Sequence, residues 1–474
     1  MYRFRSISSL LGKYQELQNQ EIYFSDIESL NDPMEGFREI FWYGDKIVWE
    51  NLFKHYLLCL ENICVLGYLS NEETFKQDDI PIFLDPGKLP TDEYKKMFQE
   101  ICDRFFQHEG INEYLDFLAD SPIKTSRDEL YVHLKNIHLL AFLTISEVHA
   151  KHKYIPEFNS SYLNSNNIKQ IIDSLGNIDC DDEKGQEEIK ILLNIQKDIM
   201  EEIDLMVVCN LENTPTNQRK WFILNEFPNA YLNEVVKLSY PEGYVACFMD
   251  DWTSPVVWGR YADGHKGACL KFKVKDTKGS PSIDLYCTTG WGSSGPMYGY
   301  RTFSFRKINY SNQFQPIDFF KSIGSIPINQ LLNQWYTDKY GNLSKCAKHM
   351  KDEESIQDWR KEYWSNYDSS FFMKLKEWEY EKEQRLFLSS SLEMYNTQES
   401  RKLKYKFEDL EAIIFGMRTS VEDKAKIIKI IKAKCKENNR KDFDFYQAFY
   451  SSFSGKMEIK KLCFIKQEIL NQED

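Results

Sequence analysis

Residues 61–235 carry apolar side chains at three- and four-residue spacings with no sustained strand alternation, while strand-type segments stand on both sides. A chain arranged this way cannot build its sheet from consecutive strands. The strands have to converge from distant parts of the sequence, and the helices between them become excursions. Segments 95–117, 127–148 and 187–206 show the helical spacing, and Ile191, Ile195, Ile199 and Ile203 fall four apart on one stripe. Polar stretches 159–167 and 179–185 read as surface loops.

Five blocks follow. Residues 1–60 are the first part of an α+β core and 61–235 a helical insertion. Residues 236–312 return to the core, 313–375 form a second helical insertion rich in Trp and Tyr, and 376–474 complete the core. The expected fold class is α+β, a central mixed or antiparallel sheet assembled from N-terminal, middle and C-terminal segments with large helical insertions. Segments 2–5, 245–248, 270–274, 302–305 and 385–388 are expected in one sheet system, from their alternation. The Gly/Ser-rich stretch 288–296 reads as a flexible connection, and it lacks the Gly-Lys-Ser/Thr ending of a phosphate loop. Gly416 reads as a close-approach residue after a strand.

A 474-residue chain with 42% hydrophobic residues has the composition of a folded protein. Its purely apolar runs, such as Leu139–Leu143, are far shorter than a bilayer span, so no membrane span is expected. Residues 1–5 lack the apolar region of a secretory signal. The eleven cysteines are scattered and none makes a Cys-x-x-Cys pair. Buried thiols, no structural disulfide, no metal and a cytoplasmic location are therefore expected. His149 and His152 share a helical face without a third ligand spaced beside them. The net charge of −13 disfavours nucleic-acid binding by the whole surface. One basic amphipathic helix, 424–441, alternates lysines with isoleucines. It and the helical insertions are the expected contacts for a protein or nucleic-acid acceptor, unless its isoleucines simply pack on a sheet.

Polar chemistry gathers in a few places. Trp258 and Tyr261 lie three apart, a turn follows, then His265 and Gly267 lead into the apolar alternation of Leu270, Phe272 and Val274. Near the N-terminus stand Arg3 and Arg5, then the Asn31-Asp32-Pro33 turn with Glu35 and Gly36 just past it. Late in the chain Glu379, Glu381 and Glu383 alternate, which on a strand places them on one face with Arg385. Like charges so close require a cation or a ligand hydroxyl among them. The comb is either a glutamate–arginine ladder tied to an N-terminal arginine or a catalytic carboxylate pair.

The Trp258–Phe272 block resembles the signature of the bacterial family known as domain of unknown function 2971. So do Tyr2-Arg3-Phe4-Arg5, Ile22-Tyr23-Phe24-Ser25, Leu30-Asn31-Asp32-Pro33-Met34-Glu35-Gly36, the 378–386 segment, Ile413-Ile414-Phe415-Gly416-Met417-Arg418 and Phe445-Tyr446-Gln447-Ala448. Cys247-Phe248-Met249 departs from the Cys-Phe-Ser usual there. The order arginine, Ser/Thr-x-Ser/Thr, Glu-x-Glu is also similar to that of arginine-serine-glutamate type ADP-ribosyltransferases. That resemblance implies NAD as substrate. Arg3 or Arg5 would clamp its phosphates, with Tyr261 and His265 on the rim and Thr302 and Ser304 bracing the site. Glu383 would stabilise the cationic sugar and Glu381 orient the acceptor. The setting implied is a bacterial toxin-like or phage-defence effector. The rival reading is a non-catalytic module of such a system, whose pocket of Trp258, Tyr261, His265 and the N-terminal arginines senses a phosphorylated small molecule or a partner tail.

Overall fold

The computed structural model describes residues 1–474 apart from 33, 70–73, 157–165, 177, 179–181, 278, 351, 390–394 and 464–474. Pro33, most of the stretch 159–167 and the start of 179–185 thus lie outside the described residues. The fold is α+β. Two compact units are present: Met1–Phe37 with Glu242–Phe314 and Tyr367–Asp474, and Arg38–Pro241 with Gln315–Asn366. The first boundary falls at residue 37 and not at 60, because the helix Lys46–Leu69 buries fourteen of its residues within the helical unit. That helix is long and apolar enough to cross a bilayer, yet its Asn51, His55 and Glu61 are buried and hydrogen-bonded inside the protein.

The helical unit adds Asp92–Gln107, Ile111–Asp120, Arg127–Lys151, Glu183–Asn210 and Phe227–Val235. Ser126 and Glu129 form a capping box that starts the fourth of these six helices. Histidines inside the bundle are paired with tyrosines: His55 with Tyr231 at 2.8 Å, His138 with Tyr56 at 2.7 Å, His133 with Tyr114 at 2.8 Å. His149 meets Glu61 at 3.1 Å and His152 meets Glu100 at 3.0 Å, so both histidines of the shared helical face have carboxylate partners, and His149 is fully buried. The isoleucine stripe of Glu183–Asn210 faces outward, while Gly185, Ile189 and Leu193 are buried.

The first unit is built on two sheets. The larger runs in the order Arg306–Lys307, Glu383–Ser389, Gly243–Met249, Tyr2–Arg5, Ala268–Phe272, Leu410–Phe415, Asp444–Ser451, Lys456–Lys461. It is antiparallel except where Leu410–Phe415 and Asp444–Ser451 pair in parallel, joined through the basic helix Val421–Glu437. That helix buries Ile427, Ile431 and Cys435 in the core, as a basic amphipathic helix on a sheet would. The smaller sheet runs Gly295–Ser304, Ser280–Gly292, Lys402–Tyr405, Glu21–Tyr23. One core cluster joins inner faces of both sheets, with Phe248, Leu270 and Leu386 from one and Ile283, Leu285 and Phe303 from the other.

Two expectations change here. Thr302 and Ser304 belong to the smaller sheet, not to the sheet of Glu383, because Thr302 pairs with Asp284 and Ser304 with Ser282. The larger sheet takes up the chain only after Phe305, at Arg306 and Lys307. Likewise 288–296 is no loose connection. Its residues continue a long hairpin, Trp291 pairing with Pro296 and Gly292 with Gly295 around a two-residue turn.

Candidate functional site

Glu383 opens its strand, and register places it opposite Met249, with Arg385 opposite Cys247. Tyr2 is also opposite Met249, while Arg3 pairs with Leu270 and Arg5 with Ala268. Directly paired residues share a sheet face and neighbours along a strand alternate. Glu383 and Arg385 therefore lie on the face that carries Tyr2, Phe4 and Met249. Arg3 and Arg5 lie on the other, with the guanidinium of Arg3 5.4 Å from the ring centre of Phe248. The expected clamp of an N-terminal arginine over the glutamates is not formed.

The comb also takes a different shape. Lys376–Glu381 is a short 3-10 turn, and Lys382 leaves it with φ 48° before the strand begins. Glu379 is exposed, so only Glu381 and Glu383 turn inward. Their cations are Arg385 and a residue the sequence reading passed over, Lys374. Lys374 Nζ stands 2.7 Å from Glu35 Oε1, 2.7 Å from Glu381 Oε2 and 3.3 Å from Glu383 Oε2. Arg385 donates Nε to Glu383 Oε1 at 2.7 Å, a terminal nitrogen to Glu35 Oε2 at 2.5 Å, and the other to the Phe371 carbonyl at 2.8 Å. All five groups are nearly inaccessible. The ladder exists, but Lys374 and Glu35 complete it in place of an N-terminal arginine. A lysine inside the apolar run Phe371-Phe372-Met373-Lys374-Leu375 was the available signal.

Three carboxyl groups surround two basic groups, so the acids outnumber the bases by one. Burial pushes Glu35 up from its ordinary value against the pull of Arg385 and Lys374. For Glu383, burial opposes ionisation but Arg385 and Lys374 outweigh it and hold the carboxyl down at about 2. Tyr261 donates to Glu381 Oε1 at 2.7 Å, and the Glu383 amide donates to Tyr310 at 2.8 Å.

A cleft of about 180 Å³ adjoins this cluster. It lies where Gly243–Met249 parts from Tyr2–Arg5, meeting it at Met249 and pairing farther along with Ser25 and Asp26. Arg3, Arg5, Asn31, Tyr261 and Cys247 are on its wall. Cys247 is the link behind it, lying against both Glu383 and Arg385. Arg5 is taken up by Glu16, with its Nε 2.8 Å from Oε2. Arg3 is 7% exposed and donates to the Tyr23 carbonyl at 3.1 Å, but its other terminal nitrogen has no protein partner. Burial and then Arg5 lower its pKa to about 10.

The remaining motif residues are architectural. Trp258 is fully buried, donates to the Trp252 carbonyl at 2.8 Å and meets Phe4 edge-on at 4.9 Å, so it forms no rim. His265 sits at φ 70° on a loop outside the cleft lining, its Nδ1 unpartnered, and its carbonyl accepts from the Arg418 amide at 2.9 Å. Burial and Arg418 lower its pKa. Gly267 and Gly416 allow these loops to close: a Cβ on either would lie 2.2 Å from a backbone oxygen, that of Arg5 or of His265. Thr302 donates to Asp284 at 2.7 Å and is exposed, as is Ser304, so neither braces the glutamates.

Comparison with protein-family models, curated proteins and solved structures finds no match to this chain.

Proposed function

We propose that the protein is a ligand-binding module that recognises the anionic end of a phosphorylated small molecule at the Arg3 cleft. The observation that carries this reading is Arg3 itself: a buried guanidinium with an unsatisfied donor and no carboxylate bonded to it, on the wall of a cleft. Buried charges are ordinarily paired, and arginine binds phosphate through two parallel donors. The cleft has room for one phosphate or ring, below the volumes typical of whole small-molecule sites, so the rest of a ligand would lie outside it.

Calorimetry and thermal shift with inorganic phosphate, ADP-ribose and NAD test the proposal. Binding of at least one is expected, weakened about tenfold or more in Arg3→Met and less in Arg3→Lys. Arg3→Met is expected to fold with stability equal to or above wild type, because it removes an uncompensated buried charge. No binding to wild type, or equal binding to Arg3→Met, would sink the reading.

A second reading is ADP-ribosyl transfer from NAD to a protein or nucleic-acid acceptor, with Glu383 and Glu381 as catalytic carboxylates. It draws on the hydrogen bond from Tyr261, on the cleft wall, to Glu381. Against it stands the enclosure of Glu383 by Arg385 and Lys374. Nicotinamide release by wild type, lost in Glu383→Gln, would favour this reading over simple binding. The resemblance to the domain of unknown function 2971 family and the bacterial toxin or phage-defence setting are likewise our reading of the motifs.

A further inference from the structure

The outer face of the smaller sheet in the first unit carries exposed tyrosines among lysines. Tyr298 and Tyr300 alternate on Gly295–Ser304, and Tyr286 is paired with Tyr300 across the hairpin. Their inner-face neighbours Leu285, Cys287 and Phe303 are core, so the three rings project outward, and they are 41–59% exposed. The Tyr286 ring lies nearly parallel to Tyr298, centres 6.3 Å apart, and edge-on to Tyr300 at 5.4 Å. Tyr286 thus joins Tyr298 and Tyr300 into one exposed aromatic patch, and such a patch marks an interaction site.

The charges around the rings select the partner. Lys404 is paired directly with Tyr286, and Lys402 follows on the same face. Lys406 stands 4.5 Å from the ring centre of Tyr300, and Lys275 reaches in from the adjoining strand to Asp284 at 2.7 Å. Lys402 is ion-paired with Glu399, and Lys275 and Lys406 share Asp284, so four lysines meet the carboxylates of Asp284, Glu21 and Glu399, a surplus of one positive charge on a face of a chain whose net charge is −13. A neutral glycan would use the rings but not the lysines. Duplex nucleic acid would use the lysines but hides its base faces in the stack.

We propose that this sheet face binds single-stranded nucleic acid, its bases stacking on Tyr286, Tyr298 and Tyr300 and its phosphates meeting the lysines. Residues two apart on a strand stand about 7 Å apart, which suits unstacked successive bases. Stacking on rings is tolerant of sequence, so recognition is of single-strandedness and not of a motif. The site is separate from the Arg3 cleft and does not depend on its ligand.

Fluorescence polarisation with labelled dT20 and rU20 at low salt, using the full chain, tests the assignment. Wild type is expected to bind one or both more tightly than a duplex of equal length, with affinity falling as salt rises. Tyr298→Ala with Tyr300→Ala should weaken binding about tenfold or more, and Tyr298→Trp with Tyr300→Trp should retain it. Lys404→Glu with Lys406→Glu should weaken binding and flatten the salt dependence. Circular dichroism of each variant should match wild type, since the altered side chains are surface ones. Absence of binding, equal affinity for the duplex, indifference to loss of the rings, or preference for a neutral glucan would each overturn the proposal.

Discussion

Lys374 holds more of the first unit's chemistry than any residue of the recognised motifs. Its ammonium touches three carboxylates and lies 4.6 Å from the centre of the Trp378 ring. Lys374→Met leaves three buried carboxylates around Arg385 alone, and removing one partner of a buried ion pair costs about 3–5 kcal/mol. Urea denaturation should show a loss of that order. Glu35→Gln should be milder than Glu383→Gln, since burial pushes Glu35 up while Arg385 and Lys374 hold Glu383 down. The sign for Glu383 is that of a depressed carboxyl. Its contribution is present above the unfolded value, near 4.5, and is lost as pH falls from there through about 2. A wild type that loses no more stability than Glu383→Gln across that window would contradict this assignment.

Among the elements, the two loops at the end of the larger sheet depend on absent side chains. Gly267 accepts from Thr419 at 2.7 Å, and the Gly416 amide donates to the Gly267 carbonyl at 3.0 Å. Gly416→Ala would drive a methyl against the His265 carbonyl, where the neighbour is backbone and cannot swing away. A loss of about 1–3 kcal/mol is expected, the range of overpacked sites. A melting temperature unchanged from wild type would refute the close-approach role. The His-x-Gly and Phe-Gly motifs of the sequence are then understood as partners in one contact. The helix Glu183–Asn210 teaches the opposite lesson, since a stripe of isoleucines four apart predicted a helix correctly and yet faces away from its core.

Over the whole molecule, burial sets the response to acid and to thiol reagents. His55, His133 and His138 sit fully enclosed in the helical unit, and burial lowers each to about 4. Unfolded histidine takes its proton near 6.5, so below that pH the unfolded chain binds protons that the folded chain refuses. Stability is therefore whole above about 6.5 and falls as pH drops toward 4. Helical circular dichroism in urea at pH 7, 6, 5 and 4 should show the midpoint moving down through that range, and a flat profile would count against three neutral buried histidines. The described cysteines are free thiols, and of them only Cys209 and Cys463 are exposed.

The sequence by itself determined the class of the fold and the location of most elements, because alternation and three/four spacing are local consequences of burying one face. It marked Arg3, Tyr261, Glu381 and Glu383 as residues of interest, and the need of the glutamates for a cation followed from charge alone. Which cation answered was a matter of tertiary structure. Register decided that Arg3 and Arg5 stand on the opposite sheet face from Glu383, since a strand changes face at every residue. The chain's return at Lys374 and the turn at Glu35 brought in partners 9 and 348 residues distant from Glu383 along the chain. Thr302 and Ser304 went to a second sheet by the pairing of their hairpin, which local alternation fits equally well in either sheet. Composition could not reveal the aromatic lysine face either, because its members come from separate strands and meet only when the sheet forms.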